Sequence, residues 1–258
     1  MVTALVLSGG TGTRMGINTP KQYIEVKDRP IISYCLQMLL SHEKIDAVQI
    51  VADEMWWDMI RQCVSDLGGE KEDRSMEAES GSAGDGMASS GIGSKLRGFS
   101  APGKTRQLSI FNGLEDIRKY AEETDIVLIH DAARPLLTAD MITVCLDAVA
   151  EHDGVLPVLP MKDTVYYSED GIRVTSLLER ARIFAGQAPE AFLLGKYYEA
   201  NRELLPERIL KINGSTEPAI LAGLDIAMIP GDEGNFKITT KADLERFQEI
   251  LSASKGGA

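Results

Sequence analysis

Cysteine is scarce in this 258-residue chain, and the three present, Cys35, Cys63 and Cys145, lie far apart with no C-x-x-C spacing. That argues against a disulfide framework and leaves reduced thiols in or near a core, which points to a cytoplasmic protein. Excess positive charge is missing as well: 27 Lys and Arg stand against 39 Asp and Glu, a net charge of -12. A general nucleic-acid or membrane-surface binder needs surplus cations to neutralise phosphates, so neither partner is expected. Long apolar runs are also lacking. The first run, Val2 to Leu7, follows no basic segment and is far shorter than the roughly 20 residues of a bilayer span. A small phosphorylated ligand stays open, because it needs only a local cluster of cations. The acidic remainder would favour a divalent cation accompanying it.

The rest of the composition, 44% hydrophobic and 26% charged, is that of an ordinary globular protein, long enough for one α/β domain over residues 1–258. Its most informative stretch runs from Leu5 to Tyr23. The apolar run has the pattern of a buried strand and breaks into Gly9-Gly10-Thr11-Gly12-Thr13-Arg14-Met15-Gly16. Glycines at 9, 10 and 12 let backbone N–H groups cradle a polyanion, because no Cβ intrudes. Arg14 and Lys21 add two positive charges beside that cradle. A phosphate-binding P-loop would need Lys followed by Ser or Thr straight after its last glycine, but Ile17 follows Gly16. A dinucleotide fingerprint starting at Gly10 would need glycine where Met15 stands.

Downstream, strand and helix signals alternate. The pattern predicts a helix over Ile31 to Ser41, a strand over Ala47 to Ala52 and a helix begun by Asp53, with Trp56 and Trp57 as packing residues. Residues 68–98 hold almost no aliphatic period and read as a disordered surface insertion. A helix follows within Gly103 to Tyr120, its N-terminus offering a second anion or base contact. A strand over Ile126 to Ile129 ends in His130-Asp131-Ala132-Ala133-Arg134-Pro135. Asp131 and Arg134 therefore sit at a strand's carboxyl end, where open α/β sheets gather their functional groups. Asp131 could hold a metal or a sugar hydroxyl, or cap a turn. His130 reads as a structural hydrogen-bonding residue.

Beyond a helix at Met141 to Ala150 and a strand at Gly154 to Leu159, Thr164 to Ser168 and Ile172 to Thr175 flank an Asp170-Gly171 turn. They predict a β-hairpin, the tip of an arm spanning about 160–190 whose exposed strands a symmetric partner would cover. Further helices are expected at Phe192 to Asn201, in a short piece ending at Gly223, and at Ala242 to Leu251 capped by Thr240. Short strands are expected at Asp225 to Ile229 and Phe236 to Thr240. The fold class is thus α/β, with a mostly parallel sheet and a projecting β-hairpin arm.

The glycine loop with Pro20-Lys21-Gln22-Tyr23, the His130 to Pro135 run, Asp163-Thr164, Gln187-Ala188-Pro189 and Asn235 to Thr239 together resemble one family. It is that of the 2-C-methyl-D-erythritol 4-phosphate cytidylyltransferases and the related ribitol-5-phosphate cytidylyltransferases. The resemblance implies a Rossmann-like nucleotidyltransferase, homodimeric through the arm, that joins CTP to a small polyol phosphate with Mg2+ and releases pyrophosphate. It further implies that Arg14 and Lys21 are catalytic, binding the triphosphate and stabilising charge at the α-phosphorus. By the same carry-over Gly9, Gly10, Thr11, Gly12, Gly103 and Ser109 bind the nucleotide. Asp131, Arg134 and Lys237, with Thr164 and Arg180 reaching across the dimer, bind the substrate.

The chemistry agrees with that assignment. A phosphate monoester is already an anionic nucleophile, so the protein must orient it and stabilise charge, which arginine and lysine can do. The chain departs from the resemblance in three places. Asn213-Gly214 leaves no carboxylate before the late short helix, where Glu217, one turn later, is a substitute. Ala188 replaces a threonine, and Lys104 an aspartate. These changes bear on the acceptor. Methylerythritol 4-phosphate, in isoprenoid biosynthesis, is the first reading and ribitol 5-phosphate, or another polyol phosphate for cell-surface polymers, the second. The same residues leave room for a sugar-1-phosphate nucleotidyltransferase using UTP or GTP, and for a catalytically silent nucleotide-binding dimer.

Overall fold

A computed structural model describes residues 1–10, 19–76 and 92–253. In chain order the elements are β1 (Val2–Leu7), a single 3-10 turn at Lys21–Tyr23, the small pair β2 (Glu25–Val26) and β3 (Arg29–Pro30), and α1 (Ile31–Ser41). Next come β4 (Ala47–Val51), α2 (Trp57–Met76), β5 (Leu96–Ser100), α3 (Arg106–Ile117), β6 (Ile126–Asp131), α4 (Ala139–Ala148) and β7 (Gly154–Pro160). The chain then makes β8 (Tyr166–Tyr167), β9 (Ser176–Leu177), β10 (Phe184–Gly186), β11 (Glu190–Leu193), α5 (Leu194–Arg202), α6 (Glu217–Leu221), β12 (Ile226–Pro230) and α7 (Lys241–Ala253).

The main sheet is mixed around a parallel core. β5, β4, β1 and β6 lie side by side and parallel, in that order. Their carboxyl ends come level, because Leu7 pairs with both Val51 and Asp131, and Val51 pairs with Ser100. β11 runs antiparallel between β6 and β7, and β10 is antiparallel to the far end of β7. β12 lies parallel on the opposite edge of β7, since Val155 pairs with Ala191 on one side and Ala227 on the other.

Alternation along β1 distributes the core over two layers. Ala4 and Val6 pack with α1, α2 and α4, whereas Leu5 faces α3 and α5. α1 starts directly after Pro30, whose proline ring suits an extended entry, and buries Ile32, Leu36, Leu39 and Leu40 at helical spacing. α7 closes the molecule by setting Phe247 against Val26, Ile31 and Ile238. The tryptophans are packing residues as expected: Trp56 stacks on Tyr23 and Trp57 on Phe99, with ring centroids 4.2 and 5.1 Å apart. No helix among the described residues is long and apolar enough to cross a membrane.

Several sequence expectations need correction. Residues 68–98 are not one unstructured insertion: α2 continues to Met76, and Leu96, Arg97 and Gly98 belong to β5, paired with β4. Of that segment, 77–91 lies outside the described residues. The hairpin exists, but its second strand is β9 rather than Ile172 to Thr175, with Tyr166 opposite Leu177 and Tyr167 opposite Ser176. The reason is local. The Asp170 carboxylate accepts the N–H groups of Ile172 and Arg173, both at 2.8 Å, and so widens the turn. Phe236 to Thr240 forms no strand; Ile238 N–H reaches the Ala133 carbonyl at 2.9 Å. The helix expected from Phe192 starts instead at Leu194: Phe192 and Leu193 belong to β11, a strand without a signal of its own because Glu190 to Leu193 is four residues long and runs straight into α5.

Candidate active site

The carboxyl ends of β1, β5 and β6 open into a cleft of about 530 Å3. On its β1 wall stand Gly9 and Gly10, and the turn that follows holds them in place. Gln22 Nε2 donates to the carbonyls of Ser8 and Gly10 at 2.6 and 2.8 Å, while the Tyr23 and Ser8 hydroxyls meet at 2.8 Å. Lys21, beside Gln22 in that 3-10 turn, lines the cleft. Gly9 is required by contact rather than by dihedral angle: a Cβ there would sit 2.6 Å from the Pro102 side chain in the loop after β5. Arg14, Thr11 and Gly12 lie outside the described residues.

The β5 wall is a tight entry into α3. Thr105 is the N-cap, its hydroxyl accepting the Leu108 N–H at 3.2 Å. Ser109 Oγ accepts from Gly103 N–H and donates to the Thr105 carbonyl, both at 2.9 Å, so this hydroxyl also fixes the loop that lines the cleft. Gly103, Lys104 and Ser109 all line it.

At the end of β6, Asp131 is buried and surrounded by cations. Arg106 Nε and Nη2 donate to Oδ1 at 3.3 and 3.2 Å, Lys237 Nζ donates to Oδ2 at 3.0 Å, and Arg134 Nε lies 3.6 Å from Oδ2. Burial would raise its carboxyl pKa, but Arg106, Lys237 and Arg134 together hold it well below the usual carboxylate range. Asp131 is therefore ionised, and the site around it keeps a surplus of positive charge for an anion. Arg134 stands behind Asp131 rather than on the cleft wall, donating to the Asn235 carbonyl at 2.6 Å. His130 is fully buried with Nε2 at 3.0 Å from the Arg134 carbonyl, and burial lowers its pKa to about 4. It is neutral and suited to a structural role rather than to proton transfer.

Gly9, Gly10, Lys21, Gly103, Ser109, Asp131 and Lys237 are thus brought to one cleft. Thr164 and Arg180 are not: both are exposed on the arm, where Arg180 donates to the Lys162 carbonyl at 2.8 Å. Sequence reasoning gave no site role to Arg106. Its signal was there, since Arg106 is the first residue of the helix whose N-terminus was expected to contact an anion. A protein cage for a metal is lacking: among the described residues no group of three His, Cys, Asp or Glu side chains is placed to hold one. Asp131, which lines the cleft, already serves three cations.

Comparison with known proteins finds a match to the family IspD, 2-C-methyl-D-erythritol 4-phosphate cytidylyltransferase, over residues 2–79 and 95–253. A 2-C-methyl-D-erythritol 4-phosphate cytidylyltransferase of Rubrobacter xylanophilus is 34% identical, over 97% of this chain and 94% of the relative. A ribitol-5-phosphate cytidylyltransferase of Streptococcus agalactiae is 27% identical, over 98% and 96%. Among solved structures, a 4-diphosphocytidyl-2C-methyl-D-erythritol synthase from Anaerococcus prevotii superposes with a TM-score of 0.75 at 21% identity, covering 98% of this chain and 96% of the other. That similarity concerns the fold. Residues 80–94, within the segment read as an insertion, fall outside the family match.

Proposed function

Because the chain belongs to the IspD family of cytidylyltransferases, we propose that it transfers CMP from CTP to 2-C-methyl-D-erythritol 4-phosphate in isoprenoid biosynthesis. The observation that carries this reading is the joining, in one cleft, of a glycine loop after β1 with the Arg106–Asp131–Lys237 cluster at the end of β6. Triphosphate and acceptor phosphate are both polyanions, and the two walls suit one each. An oxygen of the acceptor's phosphate attacks the α-phosphorus of CTP, forming a new P–O bond. The bond from the α-phosphorus to the bridging oxygen breaks, and its electron pair leaves with pyrophosphate. No base is needed, since the nucleophile is already anionic. Lys21 and Arg14 stabilise charge on the triphosphate during attack, and Gly103 and Ser109 line the base side.

In this proposal Mg2+ would accompany CTP and offset the charge of its phosphates; among the described residues no group of three His, Cys, Asp or Glu side chains would hold it, and Asp131 is the carboxylate that lines the cleft. Residues 1–258 act as one cytoplasmic domain, with an arm at about 160–190. The arm's Tyr166, Ile172, Val174 and Leu177 are exposed apolar side chains that a second copy would cover, bringing Thr164 and Arg180 to the partner's acceptor. Ribitol 5-phosphate is the second reading, favoured by relatives such as the Streptococcus agalactiae enzyme, similar over 98% of the chain.

The test is pyrophosphate release with CTP and magnesium against methylerythritol 4-phosphate, ribitol 5-phosphate, glycerol 3-phosphate and glucose 1-phosphate. Turnover on the first alone is expected. Turnover on ribitol 5-phosphate alone assigns the second reading, and silence on all four with CTP still bound overturns both.

A further inference from the structure

Two of the motifs read in the sequence, Gln187-Ala188-Pro189 and Asn235 to Thr239, meet in the structure. Val158 of β7 pairs with Gly186 of β10 on one side and with Pro230 of β12 on the other, so the residues that follow, Gln187 and Gly231, flank the same strand. Gln187 is buried where the arm returns to the sheet. Its Nε2 donates to the Asp232 carbonyl and its Oε1 accepts the Asp232 N–H, both at 2.9 Å, across 45 residues of chain. One residue earlier, Gly231 N–H donates to the Val158 carbonyl at 2.8 Å. The carboxamide thus carries the pairing on past the end of β12. Gly231 permits the approach, since a Cβ there would run into Gln187 Oε1.

A second fastening follows at the next residue of the arm's return. Asn235 is fully buried, and its Nδ2 donates to the Ala188 carbonyl at 2.7 Å. The Asn235 carbonyl accepts Arg134 Nη1 at 2.6 Å. Lys237 stands two residues further on, and Ile238 is anchored in turn by the Ala133 carbonyl and by Val26 and Phe247. Two residues of chain span at most about 7 Å, too little slack to absorb a shift of Asn235 before it reaches Lys237. Lys237 and Thr239 line the cleft, and Lys237 Nζ reaches Asp131 Oδ2 at 3.0 Å. Every link from Gln187 to that ion pair is therefore a hydrogen bond or the chain itself. An apolar side chain could fill the place of Gln187. What the carboxamide adds is direction, because it fixes both the N–H and the C=O of Asp232 and with them the course of the chain toward Lys237. Without it both groups lose their buried partner.

We propose that Gln187 and Asn235 are positioning residues for Lys237, fastening the segment that carries it to the limb by which the arm returns to the sheet. The inference rests on the reading of Lys237 as a contact of the acceptor. It ties the arm to the acceptor end of the cleft and leaves the glycine wall independent of both.

The test is a double-mutant cycle on the full-length chain, with Gln187→Met, Lys237→Ala and the two combined. Pyrophosphate release is followed at saturating CTP on whichever of the four acceptors the wild type uses. Gln187→Met is expected to lower kcat/KM for that acceptor by about tenfold, chiefly through KM, with the calorimetric Kd for CTP within about twofold of wild type. Because Gln187 acts through Lys237, adding Gln187→Met to Lys237→Ala should lower kcat/KM by no more than about a further twofold. A merely structural residue would cost as much in either background. Asn235→Ser removes the bond to Ala188 and keeps the backbone carbonyl for Arg134. It should behave alike in the same cycle, and it stands in if Gln187→Met does not fold. Crystal structures of the single variants give a readout independent of turnover: Lys237 Nζ should leave Asp131 Oδ2. Lys237 still in place in a folded variant overturns the proposal, as do losses that simply multiply in the cycle. Wild-type silence on every acceptor, with Lys237 displaced in the variants, refutes the functional reading and leaves the positioning role standing.

Discussion

At the scale of single residues, burial decides protonation. His130 folds into a site where its pKa is about 4 against an ordinary 6.5, because desolvation disfavours the imidazolium. Between those values the unfolded chain binds more protons than the folded one, so the stabilisation present above pH 6.5 drains away as pH falls toward 4. From pH 7 to pH 5 the loss from this one group is about 2 kcal/mol. Urea unfolding at the two pH values should show it. His130→Gln, which can still donate to the Arg134 carbonyl, should flatten that slope. The residue's role was legible in the sequence as a structural one, since no fixed acid or base partner stood near it in the pattern. Its depth was not, because that depends on α4 and the strands covering β6.

At the scale of elements, the cleft depends on two loops that touch. Gly9, after β1, presses on Pro102, after β5, and no local signal in either loop reveals the contact. Gly9→Ala should push the loops apart, costing roughly 1–3 kcal/mol in overpacking and weakening CTP binding. Gly10, by contrast, has room for a Cβ, with nothing among the described residues within 4 Å of it. Gly10→Ala should leave the unliganded melting temperature unchanged and weaken only CTP binding, by obstructing the phosphates. Calorimetry with CTP and a thermal melt of each variant separate the two effects. The main strands and helices were readable because each shows an uninterrupted apolar run or a helical period bounded by loop residues. β11 was not: it is four residues long, antiparallel, and merges with α5, so its two-residue period never completes before a helical one begins.

At the scale of the whole molecule, the arm presents apolar side chains to solvent, with Ile172 87% and Val174 66% exposed. Under the proposed dimer the chain should sediment at twice its 28.1 kDa mass. Arg180→Ala should cut turnover severely while sparing CTP affinity. Mixing that subunit with an Arg14→Ala subunit should restore part of the activity, because in a heterodimer one site then regains both arginines. Heterodimers demonstrated by mass yet inactive would rule out a site shared across the arm.

What the sequence determined by itself was whatever rests on local chemistry. The strand-to-glycine break, the helical periods, the cap residues and the ordered motifs are properties of neighbouring residues, and they were enough for the fold class and the family. The tertiary structure decided which distant groups share a space. It set Arg106 and Lys237 on one carboxylate, Asp131, and left Arg134 behind it. It also buried Glu190 rather than Glu217 at the start of α6, against Thr216. That choice depends on β11 entering the sheet antiparallel beside β6. The register of a four-residue strand comes from the strands on either side of it, not from its own side chains.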